Sequence, residues 1–220
     1  MSISGKSGHK EPRQPSPDCG LCPRLRDFRQ TNCAANPGWH NAPVPSFGGV
    51  EGELLIVGLA PGLRGANQTG RPFTGDYAGD LLYASLGKFG FSKGQYGGVA
   101  DDGLALVNCR ITNAVRCVPP ENKPVGAEVA ACRPYLYDEI AALSRLRVIL
   151  ALGTLAHGAV LAALGEKKSA YKFGHNSFHD LTGGLVLADS YHCSRYNTNT
   201  GRLTESMFDS VFESILKRLS

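Results

Sequence analysis

Short apolar runs alternate with stretches of helical periodicity along the chain. Four apolar runs are predicted strands that are buried on most of their surface, at residues 53–58, 104–113, 147–153 and 184–190. Helix-forming stretches lie between them, at about residues 77–89, 126–143 and 154–164. This alternation predicts an α/β fold: one three-layer αβα domain with a mostly parallel central sheet. In such a sheet the ligand site lies beyond the carboxyl ends of the strands.

The last predicted helix has the clearest pattern. Apolar residues between Leu203 and Leu219 recur at steps of one, three and four, and Lys217 and Arg218 occupy the final turn. Thr204 precedes the first turn and is a candidate cap. The pattern predicts a helix that packs on the core.

The composition favours one domain without a membrane segment. A chain of 220 residues with 42% hydrophobic content buries one full-sized core. No apolar run approaches the roughly 18 residues of a membrane span, and residues 1–17 have no secretory hydrophobic region. We therefore expect a disordered tail over residues 1–17 and one domain over residues 18–220. The net charge of +4 is compatible with a nucleic-acid partner but does not identify one.

The spacing of the cysteines is more informative than their number. Cys19 and Cys22 form a C-x-x-C pair, and Cys117 and Cys132 lie together far downstream. Four thiolates from these two regions suit a centre that clamps a preformed domain. The spacing alone leaves zinc, an iron–sulfur cluster and unrelated thiols open. We expect the other three cysteines, Cys33, Cys109 and Cys193, to pack as small hydrophobic residues.

Polar segments follow all four predicted strands. The first, GLAPGLRGANQTGRPFTGD, lacks both the G-K-[ST] ending of a Walker A loop and the G-x-G-x-x-G pattern of dinucleotide-binding folds. It offers glycine turns around one aromatic residue, Phe73, and one carboxylate, Asp76, which are parts of a pocket for a base. The later segments are NAVRCVPPENKP, GTLAHG and YHCSRYNTNTGRL.

Three of these motifs occur in a recognisable order. With GLAPGLRGANQTGRPFTGD, ITNAVRCVPPENKP, SYHCSRYNTNTGRLT and the four cysteines, the chain resembles the family 5 uracil-DNA glycosylases from about Asp18 to its C-terminus. The resemblance implies a monofunctional DNA glycosylase of base excision repair. It would act on uracil, with other deaminated bases as further candidates, as a cytoplasmic, nucleoid-associated monomer. It also implies that Cys19, Cys22, Cys117 and Cys132 hold a 4Fe-4S cluster, which favours the cluster over zinc.

The resemblance and the chemistry of N-glycosidic bond cleavage together assign the catalytic residues. Cleavage places positive charge on the sugar and negative charge on the leaving base, so it needs a carboxylate on one side and a hydrogen-bond donor on the other. We assign Asp76 to the attacking water and the oxocarbenium-like sugar, and His192 to the base carbonyl oxygen. Asn122 resembles a family residue that assists Asp76.

The remaining pocket residues would hold a base that has left the double helix. Phe73 is the predicted stacking surface, and Gly58 and Ala60 are predicted to border the base. Asn113 stands where family 5 members typically have a small apolar residue, and it resembles the family 4 members at this point. Because an Asn amide complements the N3 donor and O4 acceptor of uracil, we expect Asn113 to narrow the preference to uracil.

Residues of the last motif are the predicted DNA contacts, in a loop before the final helix. They are Arg195, Tyr196, Asn197, Asn199 and Arg202, with Tyr196 as a wedge between bases. Arg64, Arg71 and Arg116 are expected to add positive charge near the same rim. His157 is expected to have no chemical role, and His175 and His179 to lie in a surface loop without a metal.

One alternative of another class fits the cysteines and the basic loops. It is a non-catalytic DNA-binding module stapled by a four-cysteine metal centre. Such a module has no need for Asp76 and His192 on separate segments after different strands.

Overall fold

The computed structural model describes residues 11–220, which form one α/β domain. The helices are α1 (Pro23–Ala35), α2 (Ala66–Thr69), α3 (Tyr77–Lys88), α4 (Gly126–Ala142), α5 (Thr154–Ala163), α6 (Arg195–Asn199) and α7 (Glu205–Leu219). The strands are β1 (Leu54–Gly58), β2 (Ser92–Lys93), β3 (Ala105–Leu106), β4 (Cys109–Asn113), β5 (Val148–Leu152), β6 (Phe178–Asp180) and β7 (Val186–Ser190). Among the described residues, no helix combines the length and the apolar character that crossing a bilayer requires.

Five strands form the central sheet, in the order β4-β1-β5-β7-β6. All neighbours are parallel except β6 and β7, which confirms the prediction of a mostly parallel sheet. The chain places β4 on one side of β1 and then crosses back to place β5 on the other. A reversal of this kind opens a crevice at the carboxyl ends of the strands.

The two faces of the sheet are covered by different helices, as the three-layer prediction requires. Alternate residues of a strand point to opposite faces. Leu54 and Ile56 therefore belong to one core cluster, which contains α3 and α7 residues such as Leu82 and Phe208. Leu55 and Val57 belong to a second cluster with residues of α4 and α5. Because both faces are covered, β1 and β5 carry unbroken apolar runs.

The final helix follows the pattern predicted for it. α7 begins at Glu205, and the Thr204 side chain accepts a hydrogen bond of 3.2 Å from the backbone N–H of Met207. Its Phe208, Val211 and Phe212 side chains are fully buried against the sheet. The amphipathic period thus located the helix and its cap.

The second predicted strand, 104–113, is interrupted. Ala105–Leu106 pairs with Ser92–Lys93 in a separate two-stranded ribbon, and only Cys109–Asn113 joins the central sheet. Asn108 lies between them with a φ of 51°, a left-handed conformation that ends strand pairing. Its side chain also exchanges hydrogen bonds with Glu53, beside β1.

The N-terminal region corrects part of the sequence prediction. Residues 1–10 of the predicted tail lie outside the described residues. Residues 11–17 are not disordered, because Gln14 bonds the buried Glu139 at 3.1 Å and accepts from Arg116 at 2.9 Å. The helix α1 was not predicted, since it has little apolar periodicity. Its buried Arg29 binds the carbonyl oxygens of Pro17 and Cys19.

Candidate active site

A cavity of about 500 Å³ opens at the carboxyl ends of β1 and β4. Its lining comes from three of the four predicted polar segments, and the GTLAHG segment after β5 does not contribute to it. The predicted site residues in the lining are Ala60, Phe73, Asp76, Asn113, Asn122, His192 and Arg195. Gly58 lies at the end of β1, directly against Asn113 and Phe73.

Asp76 caps α3 and also faces the cavity. Its Oδ1 accepts a hydrogen bond of 3.1 Å from the backbone N–H of Gly79. Oδ2 faces the backbone of Gly65. A Cβ at position 65 would lie only 2.6 Å from Oδ2, so this position favours glycine. Burial raises the pKa of the Asp76 carboxyl above its usual range, although backbone N–H groups of the helix oppose the shift. One side chain therefore both caps the helix and lines the cavity.

Phe73 is held in an uncommon conformation. Its φ is 54°, in the left-handed region, and its side chain is buried. The Tyr96 hydroxyl donates a hydrogen bond of 3.2 Å to the Phe73 carbonyl oxygen. The Phe73 ring lies 6.1 Å from the His192 imidazole, with an angle of 32° between the planes. An aromatic face at this position can stack on a flat ligand.

Asn113 presents an unused amide to the cavity. It is the last residue of β4 and pairs with Gly58 across the sheet. Its side chain is buried and makes no hydrogen bond with any residue that the structure describes. A Cβ at Gly58 would collide with the Asn113 amide oxygen and lie 2.6 Å from the Phe73 ring. Glycine at position 58 therefore leaves the room that both side chains occupy.

His192 follows β7 and lies opposite Phe73. Burial lowers the pKa of its imidazole, so the ring is neutral at pH 7. Its carbonyl oxygen accepts a hydrogen bond of 2.8 Å from the Asn197 side chain. The preceding Tyr191 N–H donates to Nδ1 of His175, whose other ring nitrogen bonds the Met207 carbonyl. Sequence reasoning missed this support, because His175 meets Tyr191 only through the fold.

Asn122 lies at the mouth of the cavity in a short 3-10 turn, Pro120–Asn122. Its φ is 56°, and the preceding Glu121 has a φ of 55°. Asn adopts this left-handed conformation more readily than most residues. The turn leaves Asn122 exposed at the rim.

The predicted DNA-contact segment is a short helix, α6, and not a loop. The Ser194 hydroxyl accepts a hydrogen bond from the Asn197 N–H and caps it. Tyr196 is 72% exposed, and Arg195 and Asn199 are also exposed. The Arg195 guanidinium lies 5.5 Å from the Tyr77 ring centre. Asn197 differs from the prediction, because its side-chain N–H group is used on the His192 backbone.

Two of the three arginines expected at the rim are buried. Arg71 pairs with Asp102, and Arg116 pairs with Glu139 at 2.7 Å. Arg64 alone of the three is exposed. A charged residue in a polar segment has no sequence signal that separates a surface cation from one half of a buried ion pair.

The four predicted metal ligands converge on one small cavity. Cys19, Cys22, Cys117 and Cys132 line it, although they lie in the N-terminal segment, after β4 and in α4. The backbone N–H of Arg116 donates to the Cys132 sulfur at 3.4 Å. Burial raises the pKa of Cys22 to about 11 and that of Cys117 to about 12, so these thiols lose their protons only to a bound metal. The donor set fits a four-thiolate centre.

Of the other three cysteines, two follow the prediction. Cys109 and Cys193 are buried in the core cluster that contains α3 and α7. Cys33 is exposed, so it does not pack as a core residue.

Among the histidines outside this cavity, His179 corrects one expectation. His179 lies in strand β6 and not in a surface loop, and it meets Asp189 at 3.2 Å. His157 is buried, with Nδ1 at 2.8 Å from Asp189 and Nε2 at 3.0 Å from the Tyr171 carbonyl. Both neighbours of His157 are hydrogen-bond acceptors, so the imidazole satisfies both contacts when both of its ring nitrogens carry a proton. His157 therefore supports Asp189 near the end of β7, and Asp189 lies three residues before His192.

Comparison with known proteins places the chain in a family. A sequence model of the Uracil DNA glycosylase superfamily matches residues 45–216. The chain is 45% identical over 199 residues to a type-5 uracil-DNA glycosylase of Thermus thermophilus, covering 88% of this chain and 90% of the relative. Type-5 uracil-DNA glycosylases of Mycobacterium leprae (42% identity, 90% of each chain) and Pyrobaculum aerophilum (41%, 85% and 83%) are also similar. The chain belongs to the uracil-DNA glycosylase superfamily, and its relatives place it with the type-5 members.

Proposed function

We propose that this protein removes uracil from DNA by hydrolysing the N-glycosidic bond and leaves an abasic site. The observation that carries the proposal is the single cavity in which Asp76, Phe73, Asn113 and His192 meet from three segments. All of these residues come from one chain, so a monomer suffices. A DNA-binding module without catalysis has no use for a carboxylate and a neutral imidazole in the same cavity.

The cavity has the parts that a flipped base requires. Extruding a base loses stacking and pairing of a few kcal/mol, which stacking and edge hydrogen bonds in the pocket must recover. Phe73 supplies the stacking face. The free amide of Asn113 offers a carbonyl to the N3–H of uracil and an NH₂ group to O4, whereas cytosine presents the reverse pattern. Ala60 lines the cavity, and Gly58 leaves the space in which Phe73 and Asn113 lie beside it.

Cleavage then depends on two side chains of opposite function. His192 is neutral, so one ring N–H donates to a base carbonyl oxygen as negative charge builds there. Asp76 as a carboxylate orients the attacking water and stabilises the positive charge on the sugar. Asn122 at the mouth helps to orient the same water. The fixed cap geometry of Asp76 keeps this carboxylate in place without reorganisation.

A 4Fe-4S cluster on Cys19, Cys22, Cys117 and Cys132 is the second part of the proposal. When bound, the cluster supplies a cross-link between the N-terminal segment, the loop after β4 and α4. Hydrolysis needs no electron transfer, so the role proposed for it is structural. A zinc ion on the same thiolates is the competing possibility.

The experiment that tests the function uses an end-labelled duplex with one deoxyuridine. The protein should leave an alkali-labile site at that position, and the same duplex with thymidine should remain intact. A duplex that is bound and shifted on a native gel but never becomes alkali-labile would support the non-catalytic module and overturn the proposal. Single-stranded DNA of the same sequence would show whether pairing is required.

A further inference from the structure

A second cavity lies on the same sheet edge, beside the candidate active site. Its volume is about 320 Å³, and it shares Leu59 and His192 with the first cavity. The lining continues along the ends of β1, β5 and β7, through Leu152, Gly153 and Tyr191. The two cavities are next to each other, because they share two lining residues and follow the ends of neighbouring strands, which lie about 4.8 Å apart.

Aromatic side chains form one side of this second cavity. The rings of Phe173 and Tyr191 are 6.2 Å apart and inclined by 44°. Their positions are fixed from behind, since His175 stacks on Tyr191 at 4.9 Å and the edge of His157 meets Phe173 at 5.7 Å. Both Phe173 and Tyr191 are only half-buried. A rigid, partly exposed aromatic surface is the kind on which nucleobases stack without sequence preference.

A large apolar side chain completes the lining. Leu155, the second residue of α5, is 66% exposed and lines the same cavity. Leaving this much apolar surface in water is unfavourable, and a flat base would cover it.

The charges around the second cavity are positive. Arg202 lies with its guanidinium 4.8 Å from the centre of the Tyr191 ring, and it forms no ion pair with the described residues. The lining contains no carboxylate. The segment that leads to Phe173 carries three exposed lysines outside the lining, Lys167, Lys168 and Lys172, which also form no ion pair within residues 11–220. These groups complement a phosphate backbone.

We propose that this second cavity binds the nucleotide next to the excised one in the same DNA strand. Its base packs on Phe173 and Leu155, and its phosphate binds Arg202. The inference rests on the proposed glycosylase function, because a flipped deoxyuridine in the first cavity brings its neighbour within one phosphodiester link of the second. The site has no preference among the four bases, because each of them can stack on an aromatic ring. It anchors the strand beside the reaction.

The test compares single-stranded deoxyuridine oligonucleotides in which one neighbour of the deoxyuridine, on the 5′ or the 3′ side, is an abasic spacer. The spacer keeps the phosphate and removes the base. For the wild type, kcat/KM should fall about 5- to 150-fold with the spacer on one side only, the range expected for a stacked base. Phe173→Leu keeps the apolar volume, so it should fold. On the natural oligonucleotide, the kcat/KM of this variant should be several-fold lower than that of the wild type. On the sensitive spacer oligonucleotide, where the base is already absent, the kcat/KM values of variant and wild type should be almost equal.

Two controls separate stacking from damage to the fold. Phe178→Leu changes an equally half-buried phenylalanine that lies outside both cavities, and it should leave every kcat/KM value unchanged. A neutral methylphosphonate at the neighbouring linkage should lower the kcat/KM of the wild type. It should leave the kcat/KM of Arg202→Gln almost unchanged, because the substitution and the methylphosphonate remove the same contact between Arg202 and the phosphate.

The outcomes distinguish the two proposals. If Phe173→Leu and the spacer act independently, so that their losses multiply, Phe173 does not contact the base and this inference is wrong. An Arg202→Gln variant as sensitive to the methylphosphonate as the wild type contradicts the phosphate contact. If the wild type excises uracil neither from these oligonucleotides nor from the labelled uracil duplex, the glycosylase function itself fails and the neighbouring site fails with it.

Discussion

Arg71 donates two hydrogen bonds of 2.7 Å, one to each carboxylate oxygen of Asp102, and both side chains are almost completely buried. The pair holds the loop that carries Phe73 and Asp76. Arg71 also donates to the Thr74 hydroxyl at 2.9 Å. Its guanidinium lies against three aromatic rings, those of Phe47, Tyr83 and Tyr96. The hydrogen bonds from Arg71 hold the pKa of Asp102 well below its usual range, although burial opposes the shift.

Removing one member of this pair should be costly. Asp102→Asn leaves Arg71 buried without a counter-charge, so we expect a loss of about 3–5 kcal/mol in the free energy of unfolding. Urea denaturation monitored by circular dichroism measures it. Asp27→Asn, which removes the exposed partner of Arg26, is the matched control and should change stability by less than about 1 kcal/mol. Equal effects in the two variants would mean that the Arg71 pair does not support the loop.

Asp76 and His192 should each be needed for cleavage. Asp76→Asn retains an N-cap side chain and removes the charge, so the helix survives while the excision rate falls by roughly 10²- to 10³-fold. His192→Ala should lower the excision rate by a similar factor. Single-turnover excision from a uracil duplex measures both, and binding to an abasic product should persist. Asp80→Asn, in the exposed first turn of α3, is the control that should retain full activity. Rates close to wild type in both site variants would refute the assigned roles.

Asn113 should determine the choice of base. Asn113→Ala removes both hydrogen bonds to uracil and opens room for a purine, so uracil excision should fall and hypoxanthine excision should rise relative to it. The measurement is the ratio of the two single-turnover rates in wild type and variant. The same ratio in both proteins would exclude Asn113 from contact with the base.

The four-cysteine centre should contain iron and contribute to folding. Protein purified without oxygen should be brown, with iron and acid-labile sulfide. Cys117→Ala should lose both the colour and most of the folded yield, because a bound centre contributes folding free energy directly. Cys33→Ala removes an exposed cysteine far from the centre and should keep both. A colourless wild type with one equivalent of zinc would contradict the cluster.

The contribution of His157 to stability should depend on pH. Burial lowers the pKa of His157, but the hydrogen bond and charge of Asp189 and the Tyr171 carbonyl outweigh it, and the net shift is upward despite the nearby Lys168. The folded state therefore binds the proton more tightly than the unfolded chain, whose histidine titrates near 6.5. The stabilisation is fully present below about pH 6.5 and is lost as pH rises through the folded pKa.

His157→Gln tests this directly. The difference in unfolding free energy between wild type and variant, from urea denaturation at several pH values, should be largest near pH 5.5 and should shrink at alkaline pH. His40→Gln is the control for a general histidine effect, because His40 is exposed and its ring bonds only the Pro43 carbonyl among the described residues. A difference that stays constant across this range would mean that His157 is not held as an imidazolium.

The sequence by itself determined the layers of this protein. Unbroken apolar runs of β1 and β5 predict strands covered on both faces, and the pattern of α7 predicts both its buried face and the Thr204 cap. These features are local, because backbone geometry repeats every two or 3.6 residues. The pocket residues Phe73, Asp76 and His192 were also accessible from sequence, since they follow strands whose carboxyl ends share one edge.

Only the tertiary structure decided which partner each polar side chain meets. Arg71 and Arg116 resemble surface cations in sequence, but they reach Asp102 and Glu139 across the fold. Asn197 turns inward to the His192 backbone, and Phe173, which stands in no recognisable motif, joins Tyr191 beside the active site. Such contacts depend on the distance between segments that are remote along the chain. Local periodicity reports burial of a face, whereas the pairing of two side chains is fixed only when the packed helices and loops bring them together.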